Sequence, residues 1–171
     1  MDKQLVILVD ENDRAIGSEE KISAHKKGLL HRAFSVFIFN KKGELLVQKR
    51  AKGKYHSAGL WANSCCGHPR PGEDTVLAGE RRLEEETGLK CKLKEAGHFR
   101  YETKFPNGLS ENEFDHILVG FCDNEPVCNP DEIEEYRWVG RQELLNDLEN
   151  EPEQYAVWFG RALGVVLKSG D

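Results

Sequence analysis

The stretch GHPRPGEDTVLAGERRLEEETGL, residues 67–89, joins a Gly/Pro turn to the strongest helix pattern in the chain. Asp74 is a residue type that caps helix N-termini, and Gly88 suits the left-handed position that follows a helix. We therefore predict a helix between these two residues. Its run of charges leaves few residues to face a core, and we expect these to be Val76, Leu77 and Leu83.

The charges of this helix are ordered. Arg81 and Glu85 stand four residues apart, as do Arg82 and Glu86, so each pair lies along one face of the helix. Such a run is normally a solvated face. Adjacent carboxylates are also what Mg²⁺ prefers when it bridges to phosphate oxygens. The helix is therefore either a solvated surface element or one wall of a metal and phosphate site.

The rest of the chain carries strand and helix patterns without a repeating βαβ order. Strands are predicted at LVILVD, at HRAFSVFIFN and ELLVQKR as a hairpin, and at GLWANSCCGH, KLKEAGHFRYETK, EFDHILVGFC and EYRWVG. Helices are predicted at SEEKISAHKKG, with Ser18 as N-cap and Gly28 at its end, and at RQELLNDLEN and PEQYAVWFGRALGVVLK. This order indicates an α/β or α+β protein with helices flanking sheets.

Length and composition predict one domain, residues 1–171, with a full hydrophobic core. The net charge of −6 argues against a nucleic-acid binder. No segment resembles a signal peptide or approaches the roughly 20 apolar residues that span a bilayer, so we expect a cytoplasmic protein without membrane contact. A local basic cluster is either solvated or binds a small anion; it comprises Lys49, Arg50, Lys52, Lys54, Arg70, Arg81 and Arg82.

The sequence CCGH, residues 65–68, places two thiols beside a histidine. A redox pair, half of a zinc site and a catalytic thiol are all conceivable for it. No CxxC spacing supports the first, and a cytosolic chain keeps its cysteines reduced. On a strand, Cys66 shares a face with His68 while Cys65 points to the other side.

Histidines and glutamates elsewhere form a possible metal-ligand set. His25 and His31 flank Gly28, so a helix ending at that glycine would let both rings turn toward one point. Glu111 and Glu113 are two residues apart, which puts both carboxylates on one face of a strand. Together with His68 they would suit a six-coordinate Mn²⁺, Zn²⁺ or Mg²⁺ ion. Spacing alone leaves open whether the five side chains meet.

Residues 67–89 resemble the Nudix box, G-x5-E-x7-R-E-U-x-E-E-x-G-U, in which U is a bulky aliphatic residue. The resemblance implies a Nudix-type α/β/α sandwich with mixed sheets flanked by helices, and glutamates that bind Mg²⁺ beside a diphosphate. One position departs from the box, because Arg82 stands where it has a metal-binding glutamate. A cation there suits holding a diphosphate but removes a ligand that a hydrolase would use.

The whole chain resembles the type I isopentenyl-diphosphate delta-isomerases, a branch of the Nudix superfamily. The matching segments are AHKKGLLHRAFS, LLVQKRAKGK, LWANSCCGHP, FRYET, NGLSENE and YAVWF. The resemblance implies that one divalent metal is bound by His25, His31, His68, Glu111 and Glu113. It also implies a Mg²⁺ at Glu86 and the Cys66 carbonyl, carried by a substrate diphosphate that Lys21, Arg50, Lys54 and Arg82 would bind.

The same resemblance implies how the reaction is carried out. Cys66 and Glu113 match the family's acid/base pair, with Tyr101 assisting the glutamate. Trp158 matches an aromatic lid over the hydrocarbon, where it would stabilise a carbocation, and Trp61 is expected to line the same pocket. The substrate would be a small isoprenoid diphosphate, with no flavin or nicotinamide, and the enzyme a monomer or weak homodimer.

Several residues receive no predicted role, namely Cys91, Cys122, Cys128, His56, His98 and His116. Two other functions stay open beside the isomerase. A Nudix hydrolase of a nucleoside diphosphate derivative would share the box, although Arg82 speaks against it. A non-catalytic, metal-stabilised binding module would share the ligand set but show no turnover.

Overall fold

The computed structural model describes residues 4–54 and 56–169. The strands are β1 (Leu5–Val9), β2 (Ala15–Glu20), β3 (His31–Phe39), β4 (Leu45–Arg50), β5 (Trp61–Ala62), β6 (Cys65–Gly67), β7 (Lys94–Lys104), β8 (Ser110–Phe121) and β9 (Ile133–Val139). The helices are α1 (Lys21–Lys27), α2 (Thr75–Thr87), α3 (Arg141–Asn150) and α4 (Phe159–Lys168), with a 3₁₀ turn at Pro152–Gln154. No helix in these ranges is long and apolar enough to cross a membrane.

Strand β3 is the centre of a mixed sheet. It runs parallel to β8 and antiparallel to β1, β4 and β6. The remaining strands pair antiparallel, β7 with β8, β5 and β9 with β4, and β2 with β1. The parallel register of β3 and β8 sets His31 beside Glu113, and this pairing defines the position of the site described below.

The sheet has an apolar core on each face, as strand alternation requires. Phe37 and Ile117 belong to a cluster with Phe159 and Leu163 of α4. Their neighbours along the strands, among them Val36, Ile38 and Leu118, pack instead against Ala78 and Leu83 of α2. Helices therefore cover both faces of a mixed sheet, and the predicted α/β/α sandwich is confirmed.

Helix α2 begins and ends where the sequence predicted. The Asp74 carboxylate accepts a hydrogen bond from the Leu77 backbone N–H at 3.0 Å, and Gly88 adopts φ 72°. Leu83 is buried in the core, but the prediction that Leu77 faces it is wrong, since this side chain is 58% exposed. Ala78 and Gly79 take its place, because the Leu118 side chain lies where a Cβ on Gly79 would be.

Two other predicted boundaries are wrong. Ser18 does not cap α1, because it lies in β2 opposite Ile7, and the helix starts only at Lys21; its end at Gly28, with φ 68°, is confirmed. The C-terminal helix begins at Phe159 rather than near Pro152. The intervening Tyr155 forms an isolated parallel bridge with Trp61, which ties this segment to β5.

The predicted strand GLWANSCCGH is divided into β5 and β6 by Asn63 and Ser64. Ser64 Oγ donates to the Leu46 carbonyl and accepts from the Ile38 backbone N–H, so it fills the gap where β3 and β4 diverge. The Asn63 amide group donates to the carbonyls of Val36 and Cys65. Side chains here replace ladder hydrogen bonds, a substitution that strand periodicity does not show.

Candidate active site

One cavity collects most of the residues that the sequence motifs singled out. Four of its lining residues were predicted as metal ligands or as the acid/base pair, namely Cys66, His68, Glu111 and Glu113. Four others belong to the predicted diphosphate-binding set, namely Lys21, Arg50, Lys54 and Arg82, and Trp158 forms part of the wall. The cavity therefore places cationic groups, candidate metal ligands and an aromatic ring around one space.

Four of the five predicted metal ligands converge beside this cavity. Each of His25, His31, His68 and Glu113 offers one donor atom, and these four atoms lie within 4.8 Å of one another. Glu113 Oε2 is 3.4 Å from His31 Nε2 and 3.0 Å from His68 Nε2. Because Gly28 ends α1 and β3 starts at His31, the His25 and His31 rings come to 5.0 Å between centroids.

Backbone carbonyls determine which ring nitrogen of His25 and of His31 faces the other candidate metal ligands. His25 Nδ1 donates to the Lys21 carbonyl at 2.6 Å, and His31 Nδ1 donates to the Leu29 carbonyl at 2.8 Å. The Nε2 atoms then present lone pairs, as metal-bound imidazoles do when their other N–H is held by a carbonyl. Lone pairs and a carboxylate facing one another need a cation between them, so this donor set fits a divalent metal.

The pKa values of His68 and Glu113 favour the forms that bind metals, whereas the Glu113 carboxylate favours a proton on His31 that a metal ion would displace. Burial lowers the pKa of His68 to about 4, which keeps its imidazole neutral. Burial alone would raise the pKa of Glu113, but the contacts from His31 and His68 hold it well below its usual value. Burial acts to lower the pKa of His31, yet the Glu113 carboxylate outweighs it and raises that pKa. A carboxylate and a neutral imidazole are the forms that bind metals.

Glu111, the fifth predicted ligand, lies in an adjoining group. Its Oε1 is 3.7 Å from His25 Nε2 and in direct contact with His56 Nε2. These three residues form a second set of possible ligands that shares His25 with the first. His56, which had no role in the sequence analysis, is therefore a residue of the cavity.

The Cys66 thiol is held by polar neighbours that sequence reasoning missed. Its Sγ lies 3.3 Å from Asn63 Nδ2 and 3.9 Å from Ser35 Oγ, and the Ser35 hydroxyl donates to Asp115 Oδ2 at 2.8 Å. Burial, with the nearby Asp115 carboxylate, raises the pKa of Cys66 to about 12. The thiol therefore retains its proton at neutral pH, as a general acid must.

An aromatic wall stands next to this thiol. Asn63 Oδ1 accepts a hydrogen bond from the Trp158 indole N–H at 3.1 Å, so one amide links the tryptophan to Cys66. The Tyr101 and Trp158 ring centroids are 6.4 Å apart. Tyr101 is also the cross-strand partner of Glu113, which places its side chain on the same face of the sheet as that carboxylate. Burial raises the pKa of Tyr101, so it stays a neutral phenol.

Trp61 does not line the cavity, contrary to the prediction. Neighbouring residues of a strand face opposite sides, and on β5 it is Ala62 that packs with Tyr101 and Trp158. The Trp61 ring packs against the cluster beneath α4, with the Arg137 guanidinium 4.7 Å above it.

The basic residues of the cavity are held by acidic neighbours. Arg82 Nε is 2.8 Å from Glu86 Oε2, and Arg82 Nη2 is 2.9 Å from Glu132 Oε1. Glu132 also pairs with Lys54, a role the sequence did not indicate. Burial and the nearby Lys54 charge lower the pKa of Lys21 to about 8. Lys54, Arg82 and Arg50 thus lie close enough to Lys21 to disfavour its positive charge, and a bound polyanion would relieve that repulsion.

Glu86 and Gly67 complete the part of the site that belongs to residues 67–89. Burial raises the pKa of Glu86, whose carboxylate also meets Gln48 Nε2 at 3.3 Å. Gly67 packs so closely that an added Cβ would lie 2.8 Å from Phe34 Cζ and 3.3 Å from Arg82 Cγ. The glycine therefore lets the turn approach both the core and the arginine.

Comparison with known proteins defines the class of this fold. The NUDIX domain family matches residues 29–159. A Deinococcus radiodurans protein of known structure superposes with a TM-score of 0.71 at 20% identity, covering 86% of this chain and 90% of that one. A MutT protein from Methanosarcina mazei gives 0.68 at 22% identity, covering 83% and 96%. At such identities the structural likeness shows the fold alone, and it is the family match over residues 29–159 that makes this a Nudix protein.

Sequence relatives narrow the class. An isopentenyl-diphosphate Delta-isomerase from Aromatoleum aromaticum is 50% identical over 162 residues, covering 95% of this chain and 86% of that protein. Another, from Photorhabdus laumondii, is 51% identical over 160 residues, covering 94% and 90%. The chain belongs to the isopentenyl-diphosphate Delta-isomerase family of the Nudix superfamily.

Proposed function

We propose that the protein interconverts isopentenyl diphosphate and dimethylallyl diphosphate. The observation that carries the proposal is the cavity in which a protonated, half-buried thiol, Cys66, and an ionised carboxylate, Glu113, lie together with four cationic side chains and an aromatic ring. An acid and a base at one flat hydrocarbon are what the transposition of a double bond requires. The relatives' names supply the substrate.

The proton transfers balance between two carbon atoms of the substrate. In one direction the alkene takes the Cys66 proton at its terminal carbon, and Glu113 removes a proton from the carbon on the other side of the cationic centre. The roles exchange in the reverse direction, as microscopic reversibility requires. Tyr101 is the cross-strand partner of Glu113, so its neutral phenol lies on the same face of the sheet and would assist the carboxylate there.

The intermediate is a tertiary carbocation, which water would capture as an alcohol. Trp158 is 4% exposed and packs with Tyr101 and Ala62, so the wall beside Cys66 is closed to solvent. The face of its ring would stabilise the cation by about 0.5–2 kcal/mol. Trp158 therefore both excludes water and stabilises the charge.

Metal binding belongs to this proposal. His25, His31, His68 and Glu113, with Glu111 beside them, would hold one divalent ion, Mn²⁺, Zn²⁺ or Mg²⁺. A Mg²⁺ carried by the diphosphate would be held at Glu86 and the Cys66 carbonyl. When bound, these ions neutralise clustered negative charge and bias where the Glu113 proton resides. Lys21, Arg50, Lys54 and Arg82 bind the diphosphate oxygens and orient the hydrocarbon toward Cys66.

Arg82 separates this function from diphosphate hydrolysis. Its guanidinium occupies the position of a metal-binding glutamate of the Nudix box and pairs with Glu86 and Glu132. The side chain that would recruit a further metal ion for an attacking water is therefore replaced by a cation. We expect the protein to hold its diphosphate without cleaving it.

The direct test incubates the metal-loaded protein with isopentenyl diphosphate and Mg²⁺, without flavin or nicotinamide, and follows product and phosphate together. Formation of dimethylallyl diphosphate without phosphate release supports the proposal. Phosphate release from a nucleoside diphosphate derivative, without isomerisation, would contradict it in favour of a hydrolase. Cytoplasmic location and a monomeric or weakly dimeric state remain predictions of the sequence.

A further inference from the structure

His56 is a buried cavity residue outside every motif used above. It lies in the loop that joins β4 to β5, and its side chain is 3% exposed. It lines the same cavity as Cys66 and Glu113, and its Nε2 is in direct contact with Glu111 Oε1. An imidazole placed this deeply against a carboxylate has a defined partner rather than a solvated one.

The His56 ring is fixed on all sides. It stacks on Phe105 with a centroid distance of 4.6 Å and an interplanar angle of 7°, and it meets Trp158 edge-on at 5.7 Å. Its Nδ1 lies 3.2 Å from Ser57 Oγ, and its backbone carbonyl accepts from Arg50 Nη2 at 3.2 Å. Each ring nitrogen therefore faces one polar neighbour, Nδ1 the serine hydroxyl and Nε2 the Glu111 carboxylate.

His25 faces the same carboxylate oxygen with the lone pair of its Nε2 atom. Because His25 Nδ1 donates to the Lys21 carbonyl, its Nε2 presents a lone pair toward Glu111 Oε1, 3.7 Å away. Of the two imidazoles at this oxygen, His56 is in direct contact with it, while His25 lies farther away and offers a lone pair for a shared cation. The His56 ring therefore confines the Glu111 carboxylate to the side of the cavity that His25 faces.

We propose that His56 is a positioning residue of the metal site, which orients Glu111 for the ion that His25 binds and connects this ligand to the aromatic wall of Phe105 and Trp158. The inference rests on the metal site of the proposed function. Outer residues that hydrogen-bond a metal ligand restrict its rotamers, and their loss weakens metal binding about 10–100-fold.

The test compares metal affinity in three variants of the full-length, metal-stripped protein. His56→Phe keeps the stacking on Phe105 but has no donor, whereas His56→Gln keeps an N–H at about the position of Nε2. His98→Phe is the matched control, because His98 stacks on Phe114 at 4.9 Å outside the cavity. Mn²⁺ is titrated by calorimetry, and thermal unfolding of each metal-free variant reports whether the fold is intact.

We expect the Kd for Mn²⁺ to rise about 10–100-fold in His56→Phe, and to stay within about threefold of the wild-type value in His56→Gln and His98→Phe. With Co²⁺ instead, the absorption bands of His56→Phe should keep their positions, since a positioning residue is not itself a ligand. An unchanged Kd in His56→Phe would overturn the proposal. So would shifted cobalt bands, which would make His56 a direct ligand.

These titrations need no turnover, so they separate the inference from the proposed reaction. An isomerase whose His56→Phe variant binds Mn²⁺ as tightly as the wild type would refute the role of His56 alone. A wild-type protein that binds Mn²⁺ but does not isomerise would refute the proposed function alone. If His56→Phe does not fold, the comparison of His56→Gln with His56→Ala decides the same question.

Discussion

His31 and Glu113 are register partners on the parallel strands β3 and β8, and their side chains meet with 3.4 Å between Nε2 and Oε2. They are 82 residues apart in the chain. Parallel pairing therefore brings together two candidate metal ligands, His31 at the start of β3 and Glu113 from the ENE segment. Any change that shifts this register by one residue would move Glu113 to the opposite face of the sheet.

Glu113 is predicted to serve both the metal and the proton transfer. Glu113→Gln keeps the size of the side chain but removes its charge and its basicity, so we expect kcat to fall about 10²–10⁴-fold. Metal affinity should fall in the same variant. Steady-state kinetics and Mn²⁺ calorimetry check the two effects, with the exposed neighbour variant Glu102→Gln as control. Wild-type kcat in Glu113→Gln would remove this residue from the chemistry.

Asn63 is predicted to orient Cys66 and Trp158 together. Asn63→Ala removes the acceptor of the Trp158 N–H and the side-chain donor to the carbonyls of Val36 and Cys65. We expect about 1–3 kcal/mol of lost stability for each buried group left unpaired. The kcat value should fall more than KM changes, because the diphosphate contacts are intact. Denaturant unfolding measures the loss of stability, and kinetics at a temperature where the variant is folded measure kcat and KM. An unchanged kcat would show that Asn63 does not orient Cys66 and Trp158.

Substrate affinity is predicted to depend on the protonation of Lys21. Its pKa is lowered to about 8 by burial and by Lys54, so its positive charge is present below that pH and lost above it. KM should therefore be flat below about pH 7 and rise above pH 8, by about tenfold if one charge-assisted hydrogen bond is lost. Lys21→Arg keeps the charge at these pH values and should flatten the profile. A KM–pH profile that is the same in both proteins would argue against Lys21 as the titrating group.

Gly67 is predicted to be sensitive to a single methyl group. In Gly67→Ala the Cβ would lie 2.8 Å from Phe34 Cζ, a ring fully buried in the core, so we expect about 1–3 kcal/mol of destabilisation from overpacking. KM for the diphosphate should also rise, because Arg82 is displaced. Gly53→Ala, where no atom lies within 4 Å of the added Cβ, is the control. Equal unfolding midpoints in urea for the two variants would contradict the packing argument.

Local sequence patterns predicted the features that depend only on a residue and its neighbours in the chain. Helix α2 begins after Asp74 and ends before Gly88, as predicted, because capping and left-handed geometry are properties of a residue and its nearest neighbours. The placement of Cys66 and His68 on the cavity side followed from strand alternation in the same way.

Features that depend on distant segments were missed. The predicted strand is divided at Asn63 and Ser64 because Ser64 hydrogen-bonds to both β3 and β4 where these strands diverge. That divergence is a property of the whole sheet and not of the local sequence. His56 lines the cavity and Glu132 pairs with Lys54 at its edge because of their positions in the fold, and neither stands in a motif. Trp61 was assigned to the wrong side because the sequence did not reveal which residue of the two-residue strand β5 faces the core.

The proposed isomerisation requires that the Cys66 thiol exchange its proton with the substrate. The measurement is turnover of isopentenyl diphosphate in D₂O by wild type, Cys66→Ala and Cys65→Ala, with deuterium in the dimethylallyl product followed by mass spectrometry. Cys65 is the matched control, because it is buried on the other side of the strand. We predict label in the products of wild type and Cys65→Ala, and a loss of at least about 10²-fold in labelled product with Cys66→Ala. Labelling by Cys66→Ala at the wild-type rate would show that a group other than the Cys66 thiol supplies the proton.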